Sequence, residues 1–211
     1  MKQILCYGDS NTWGTDTAGG GRFPYEQRFT GILAGRLPDC LIIEEGLSGR
    51  TAVAHDDLWP QRAGIPYLPV SLYTHRPLDL VILMLGTNDT KSKFGLKPAE
   101  IAAGIEEMIR IIRSPLLWHG DRSPEILVVS PVEVSAHVAH TEMGGEFDET
   151  SAVRSQGIAQ AVAPIAAQYG CAFLDAREVA KPCALDAVHL DAAGQRALAD
   201  ALEQKIREIL Y

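Results

Sequence analysis

The sequence predicts an α/β protein built on a doubly wound, parallel sheet. Short apolar runs alternate with longer amphipathic stretches, and the runs are apolar at nearly every position instead of at alternate ones. Strands with that pattern are covered on both faces, as in a parallel sheet held between helix layers. In addition, polar glycine-containing blocks follow the first three runs directly. In open α/β sheets the loops beyond the carboxyl ends of the strands build the functional site.

Residues 3–7 (QILCY) form the first strand, and Met1-Lys2 leads straight into it, so no secretory leader is expected. Runs at 40–44 (CLIIE), 79–85 (DLVILML), 125–130 (EILVVS) and 171–174 (CAFL) supply four more. A helix is predicted over 25–37, ended by Gly35 and Pro38. Residues 98–113 place Ile101, Ile105, Met108 and Ile112 on one stripe, and Pro98 suits a first helical position because its missing N–H would go unpaired there anyway. Residues 148–169 align Ile158, Val162, Ile165 and Tyr169, with a kink or break expected at Pro164. Residues 191–210 align Leu198, Leu202 and Ile209, with Asp191 as N-cap. The stretches 46–78 and 131–147 are poorly periodic and read as irregular. Neither a repeat nor an interdomain linker is evident, so residues 1–211 are read as a single domain.

Composition narrows the function. In 211 residues, 19 Lys+Arg face 27 Asp+Glu, a net charge of −8. That balance offers no electrostatic footprint for nucleic acid or an anionic membrane. No apolar run reaches the ~18–20 residues of a membrane span. Cys6, Cys40, Cys171 and Cys183 form no C-x-x-C pair, so zinc and redox chemistry are not indicated. They are expected to be free thiols, and the protein is expected to be cytoplasmic.

Four blocks carry chemistry. Gly8-Asp9-Ser10-Asn11-Thr12-Trp13-Gly14 follows the first strand, and a serine at such a turn can aim its Oγ and its own N–H at one point. Gly46-Leu47-Ser48-Gly49-Arg50 follows the second, where Gly49 can offer an unhindered N–H. Gly86-Thr87-Asn88-Asp89 follows the third, where Asn88 can direct an amide at a developing oxyanion or simply make an Asx turn. Asp186-Ala187-Val188-His189 precedes the last helix, and a carboxylate three residues before a histidine can fix its tautomer. Each block alone is also compatible with an ordinary polar loop.

In order and placement, Gly8-Asp9-Ser10, Gly49, Asn88 and Asp186-x-x-His189 resemble the four blocks of the SGNH (GDSL-type) hydrolases, over nearly the whole chain. EEGLSGRT (44–51), MLGTNDTK (84–91) and ILCYGDSNTWG look most like the bacterial arylesterase/acyltransferase branch, which includes perhydrolase-type enzymes. The resemblance implies a three-layer α/β/α flavodoxin-like fold with a central five-stranded parallel sheet. It implies Ser10 as nucleophile, His189 as base and Asp186 as orienter, with an oxyanion hole from Ser10, Gly49 and Asn88. Asn11 stands where the family's name motif has leucine, and residues 131–147 match little.

The expected activity is serine-dependent hydrolysis of short-chain or aryl carboxylic esters through an acyl-enzyme, extending to acyl transfer or perhydrolysis. Removal of acetyl groups from carbohydrates is a close alternative. Trp13 and Val188 are candidate substrate contacts. No cofactor and no metal are expected, and the partner is a small ester. Residues 60–72 are a candidate pocket cover or homo-oligomer interface. Two further classes stay open: a metal-dependent phosphoesterase using Asp9, Asp89, His137 and His140, and a non-catalytic flavin- or ligand-binding module.

Overall fold

The computed structural model describes residues 1–120 and 122–211. Five parallel strands, β1 (Lys2–Gly8), β2 (Cys40–Gly46), β3 (Leu80–Met84), β4 (Glu125–Ser130) and β5 (Ala172–Asp175), form one sheet in the order β2-β1-β3-β4-β5. β1 pairs with β2 from Lys2↔Cys40 to Gly8↔Gly46, and with β3 from Ile4↔Leu80 to Gly8↔Met84. The chain therefore reverses its direction of travel across the sheet at β1. That switch point leaves a crevice beyond the carboxyl ends of the neighbouring strands.

The apolar runs do bury both faces. Ile4, Cys6, Leu80, Ile82, Met84, Leu127 and Val129 pack on one side with α2 (Phe29–Arg36) and α7 (Ala192–Leu210), through Phe29, Leu33, Leu198 and Leu202. Leu5, Tyr7, Val81, Leu83, Ile126 and Val128 face the other side. There they meet α3 (Gly64–His75), α4 (Pro98–Arg113) and α6 (Ile158–Gln168). Pro98 opens α4, and Asp191 caps α7 by accepting from the Gly194 N–H at 2.8 Å.

The structure corrects three local expectations. Residues 46–78 are not irregular throughout, because α3 spans Gly64–His75 and buries Gly64, Leu68, Ser71 and Leu72 at helical spacing. Pro66 falls in its first turn, where a missing N–H is harmless, and Pro69 lies on a partly exposed side. A helix is also what β2 and β3 require, since parallel strands need a crossover of a dozen or more residues. The 148–169 stretch breaks at Gly157, between α5 (Glu149–Gln156) and α6, and not at Pro164. A Cβ at Gly157 would stand 2.7 Å from Pro98 Cγ, so glycine is there for the close approach of α4. Pro164 and Gln160 are both exposed, which leaves the carbonyl that loses its donor open to water. Finally, the 25–37 helix begins as a 3₁₀ turn at Tyr25–Gln27 before α2.

Residues 131–147 have local structure of their own. Two 3₁₀ turns, Ala136–His140 and Glu142–Gly145, fold Val134, Val138 and Phe147 into a small second core with Ala187 and Val188. All four cysteines are free thiols. No described helix is long and apolar enough to cross a membrane.

Leu72 is fully buried on α3. Leu72→Ala is expected to lower unfolding free energy by about 2–5 kcal/mol, the usual cost of a buried leucine cavity. Urea unfolding measures this, and a loss below about 1 kcal/mol would mean that α3 is peripheral to the core.

Candidate active site

The first block forms a tight turn at the end of β1. A four-residue helix, α1 (Ser10–Trp13), starts at once, and Asp9 caps it by accepting from the Asn11 N–H at 3.0 Å. Gly8 has no room for a side chain, since a Cβ would lie 2.0 Å from Thr12 Oγ1 and 2.9 Å from the Met84 carbonyl oxygen. Ser10 is thereby held at the sheet edge with 7% of its surface exposed.

The fourth block brings a histidine to the same point. Asp186 Oδ1 accepts from the N–H groups of Val188 and His189, each at 3.0 Å, and the turn carries Ala187 at φ 68°. Asp186 Oδ2 hydrogen-bonds to His189 Nδ1. Burial pushes the Asp186 carboxyl up, but the hydrogen bond and charge of His189, with the two N–H groups, outweigh it and hold the carboxyl below its ordinary range. An ionised carboxylate only accepts, so Nδ1 carries the proton and Nε2 is left as an acceptor. Nε2 lies 2.8 Å from Ser10 Oγ, where the serine hydroxyl donates to it. The loop after β4 clamps this turn. Ser135 N–H donates to the Ala187 carbonyl at 2.8 Å, and the Thr141 hydroxyl donates to the Asp186 carbonyl at 3.2 Å.

The second and third blocks close the opposite side. Leu47 N–H and Arg50 Nη1 both donate to the Gly8 carbonyl, at 3.1 and 3.0 Å. Arg50 also donates to the Glu45 carbonyl and stacks on Tyr7, 4.1 Å from the ring centroid. Gly49 takes φ 84°, which suits glycine. Asn88 Nδ2 donates to the Arg50 carbonyl at 3.1 Å and reaches Asp9 Oδ2 at 3.5 Å. The second contact sits at the outer limit of a hydrogen bond, so one amide hydrogen is held loosely beside the serine turn. Asp89 accepts from the N–H groups of Ala52, Val53 and Ala54 at 2.7, 2.8 and 2.9 Å, which fixes the loop after Gly49.

Trp13 is half-buried under the Arg22 guanidinium, 5.2 Å from its ring centroid, and Val188 is buried in the small second core. Of the residues named for metal chemistry, Asp9, Asp89 and His137 are employed otherwise. His137 pairs with Ser135 Oγ at 2.9 Å and with the Ala184 carbonyl at 3.1 Å, and Asp89 is taken up by backbone N–H groups. Among the described residues no group of three His, Cys, Asp or Glu side chains is arranged to hold a metal ion.

Two residues of this assembly escape a motif search. Asn11 Oδ1 accepts from the Leu190 N–H at 2.8 Å, immediately after His189. Its own carbonyl accepts from Gln195 Nε2 at 3.0 Å, and Gln195 Oε1 accepts from the Phe29 N–H at 2.9 Å. Both side chains are buried. The signal was an asparagine in a motif position that otherwise holds leucine, and a glutamine one turn before Leu198 in α7.

A serine, a histidine and an aspartate in hydrogen-bonded series at the carboxyl edge of a parallel sheet define a serine hydrolase of the α/β class. The GDSL-like Lipase/Acylhydrolase family model matches residues 6–197, and the chain belongs to that family. It is a carboxylic ester hydrolase. The aryl esterase of M. smegmatis is 36% identical with a TM-score of 0.91, and the match covers 100% of both chains. A carbohydrate acetylesterase family member from Sinorhizobium meliloti is 37% identical with a TM-score of 0.91, covering 100% of this chain and 99% of that one. A lipase/acylhydrolase from Enterococcus faecalis shares the fold at 16% identity and a TM-score of 0.72, over 99% of this chain and 96% of that one. No curated protein sequence matches the chain.

Asn11→Leu restores the residue of the name motif but removes the acceptor for the Leu190 N–H. The expected cost is about 1–3 kcal/mol of stability, the penalty of one unsatisfied buried donor. Denaturant unfolding checks it, and an unchanged midpoint would show that the Leu190 N–H has no need of Asn11.

Burial raises the Asp9 carboxyl to about 6 from 3.8; the Asn11 N–H and the charges of His189 and Arg50 oppose the shift, and Asp89 adds to it. The native state then binds this proton more tightly than the unfolded chain. Its stabilising effect is complete below about pH 4 and is lost as pH rises through about 6. The stability of Asp9→Asn relative to wild type should therefore rise by about 3 kcal/mol over that window and level off above it. A difference that does not vary between pH 4 and 7 would contradict this titration.

Proposed function

We propose that the protein hydrolyses short-chain acyl esters through an acyl-enzyme on Ser10. The observation that carries this is the unbroken series from Asp186 through His189 to the Ser10 hydroxyl. Ser10 Oγ attacks the ester carbonyl as Nε2 of His189 accepts its proton, and Asp186 stabilises the resulting imidazolium without taking the proton. The N–H groups of Ser10 and Gly49, with the Asn88 amide, receive the oxyanion. In the resting state one Asn88 hydrogen is bound by the Arg50 carbonyl, which leaves the loosely held one for this task. His189 then protonates the leaving alcohol. Water attacks the acyl-enzyme with His189 again as base, and an alcohol or peroxide in place of water gives acyl transfer or perhydrolysis.

The alcohol portion is read from the relatives. Similarity to the M. smegmatis aryl esterase supports aryl esters, and similarity to the S. meliloti acetylesterases supports acetylated carbohydrates. A short acyl group suits both readings. Trp13, at the end of α1, is the proposed wall of the site.

With p-nitrophenyl acetate, Ser10→Ala and His189→Ala are each expected to lower kcat by at least about a thousandfold. Asn88→Ala is expected to cost about 10²–10³ in kcat. A phosphonate ester should label Ser10, with the adduct located by peptide mass spectrometry. Wild-type rates from Ser10→Ala, or labelling elsewhere, would refute the serine mechanism.

A further inference from the structure

The loop after Gly49 carries a cation, Arg62, that forms no close ion pair among the described residues. Arg62 closes the 3₁₀ turn Pro60–Arg62, and its backbone is fixed on both sides. Its N–H donates to the Trp59 carbonyl at 2.9 Å, and its carbonyl accepts from the Thr51 N–H at 3.0 Å. The guanidinium stacks on Trp59, with Cζ 4.7 Å from the ring centroid. It also lies against Gly49. A Cβ there would stand 2.6 Å from Arg62 Nε and 2.8 Å from Cδ and Cζ. The side chain is therefore held in place beside the glycine whose N–H is assigned to the oxyanion.

Among the described residues the guanidinium makes no hydrogen bond and no ion pair. Its neighbours are otherwise engaged. Asp56 pairs with Lys93 at 2.6 Å, and Glu146 pairs with the buried Lys91. The charge of Arg62 reaches both carboxylates and helps hold each below its ordinary range. Both carboxylates are thus already bonded to lysines, and neither forms a close ion pair with Arg62. A stacked, oriented guanidinium presents a planar fork of N–H donors that matches a carboxylate.

We propose that Arg62 is a substrate subsite for esters that bear a carboxylate away from the scissile carbonyl. This rests on the serine esterase reading above and adds a substrate class to it. The guanidinium pairs with the remote carboxylate, while the scissile carbonyl lies between Ser10 and the Gly49 and Asn88 donors. Neutral esters of the same size lack that anchor, so the preference is expected mainly in KM.

The test is a ratio of kcat/KM values measured on the full chain. One arm compares 4-acetoxybenzoate with phenyl acetate, which puts the charge on the alcohol. The other compares the mono-4-nitrophenyl ester of adipate with 4-nitrophenyl hexanoate, which puts it on the acyl group. In at least one arm the wild type should favour the anionic ester, and Arg62→Gln should lower the anionic-to-neutral ratio about tenfold. Arg62→Glu should lower it further, Arg62→Lys should restore part of it, and added salt should reduce it in wild type but not in Arg62→Gln. Ratios that do not move between wild type and Arg62→Glu in either arm overturn the subsite, as does an equal loss on both members of both pairs. Failure of the serine mechanism is distinguishable, because it would appear as absent phosphonate labelling of Ser10 in the wild type.

Discussion

Ser10 and His189 are separated by 179 positions in the chain, yet their side chains meet at 2.8 Å. The site depends on holding that meeting still. Misplacing a catalytic group by about 1 Å can cost on the order of 10²-fold in rate. The junction is made by Asn11. Its side chain ties the residue after His189 to the turn that bears Ser10, and its backbone is tied through Gln195 to the start of α2. A leucine in the same place fills space but accepts no hydrogen bond. The asparagine turns two loops that merely adjoin into one bonded unit, so the first and last parts of the chain act as a single frame.

The burial of the sheet on both faces explains why so much of this was legible. A strand covered on two sides must be apolar throughout, which is why β1, β3 and β4 stand out in the sequence, while the edge strands β2 and β5 are only partly buried. Parallel pairing then sends all their carboxyl ends to one edge, and the serine, glycine and asparagine blocks lie there because they follow β1, β2 and β3. What escaped notice has equally physical causes. Pro66 and Pro69 hid α3, although Leu68 and Leu72 keep helical spacing and parallel pairing of β2 with β3 demands a crossover. The break at Gly157 was misplaced to Pro164 because the decisive contact is with Pro98, about 60 positions earlier. Asn11 stands out in the sequence only as a departure from a motif, and Gln195 and Arg62 not at all, because their significance lies in which groups they touch and no spacing rule encodes that.

Several charges in and around the site are buried, and each is compensated locally. Asp89 is fully buried and satisfied by three successive backbone N–H groups. Burial still raises its carboxyl, and those three bonds work against the shift. Arg50 lies on Tyr7 and donates to the carbonyls of Gly8 and Glu45, so it braces the ends of β1 and β2. Its Nε has no partner, which fits a group placed for stacking as much as for hydrogen bonding. Ions fixed in this way are costly to form but hard to deform, because moving any one strands a charge away from water. The loop between Gly49 and Ala54 is thus braced through backbone groups, by Arg50 at one end and Asp89 at the other.

The same reasoning changes how residues 131–147 are understood. The apolar residues of this loop, Val134, Val138 and Phe147, are buried against Ala187 and Val188, and its polar groups bond the carbonyls of Asp186 and Ala187. Lys91 and Glu146 join its far end to the Asn88 turn, so the loop bridges the histidine side and the oxyanion side of the site. A segment packed in this way supports the turn that carries His189. The strained Ala187 turn has the same dependence. Its φ of 68° is unfavourable for alanine in isolation and persists because the Asp186 carboxylate and the backbone groups of Ser135 and Cys183 hold the turn from three directions. The loop is therefore part of the frame that orients the histidine.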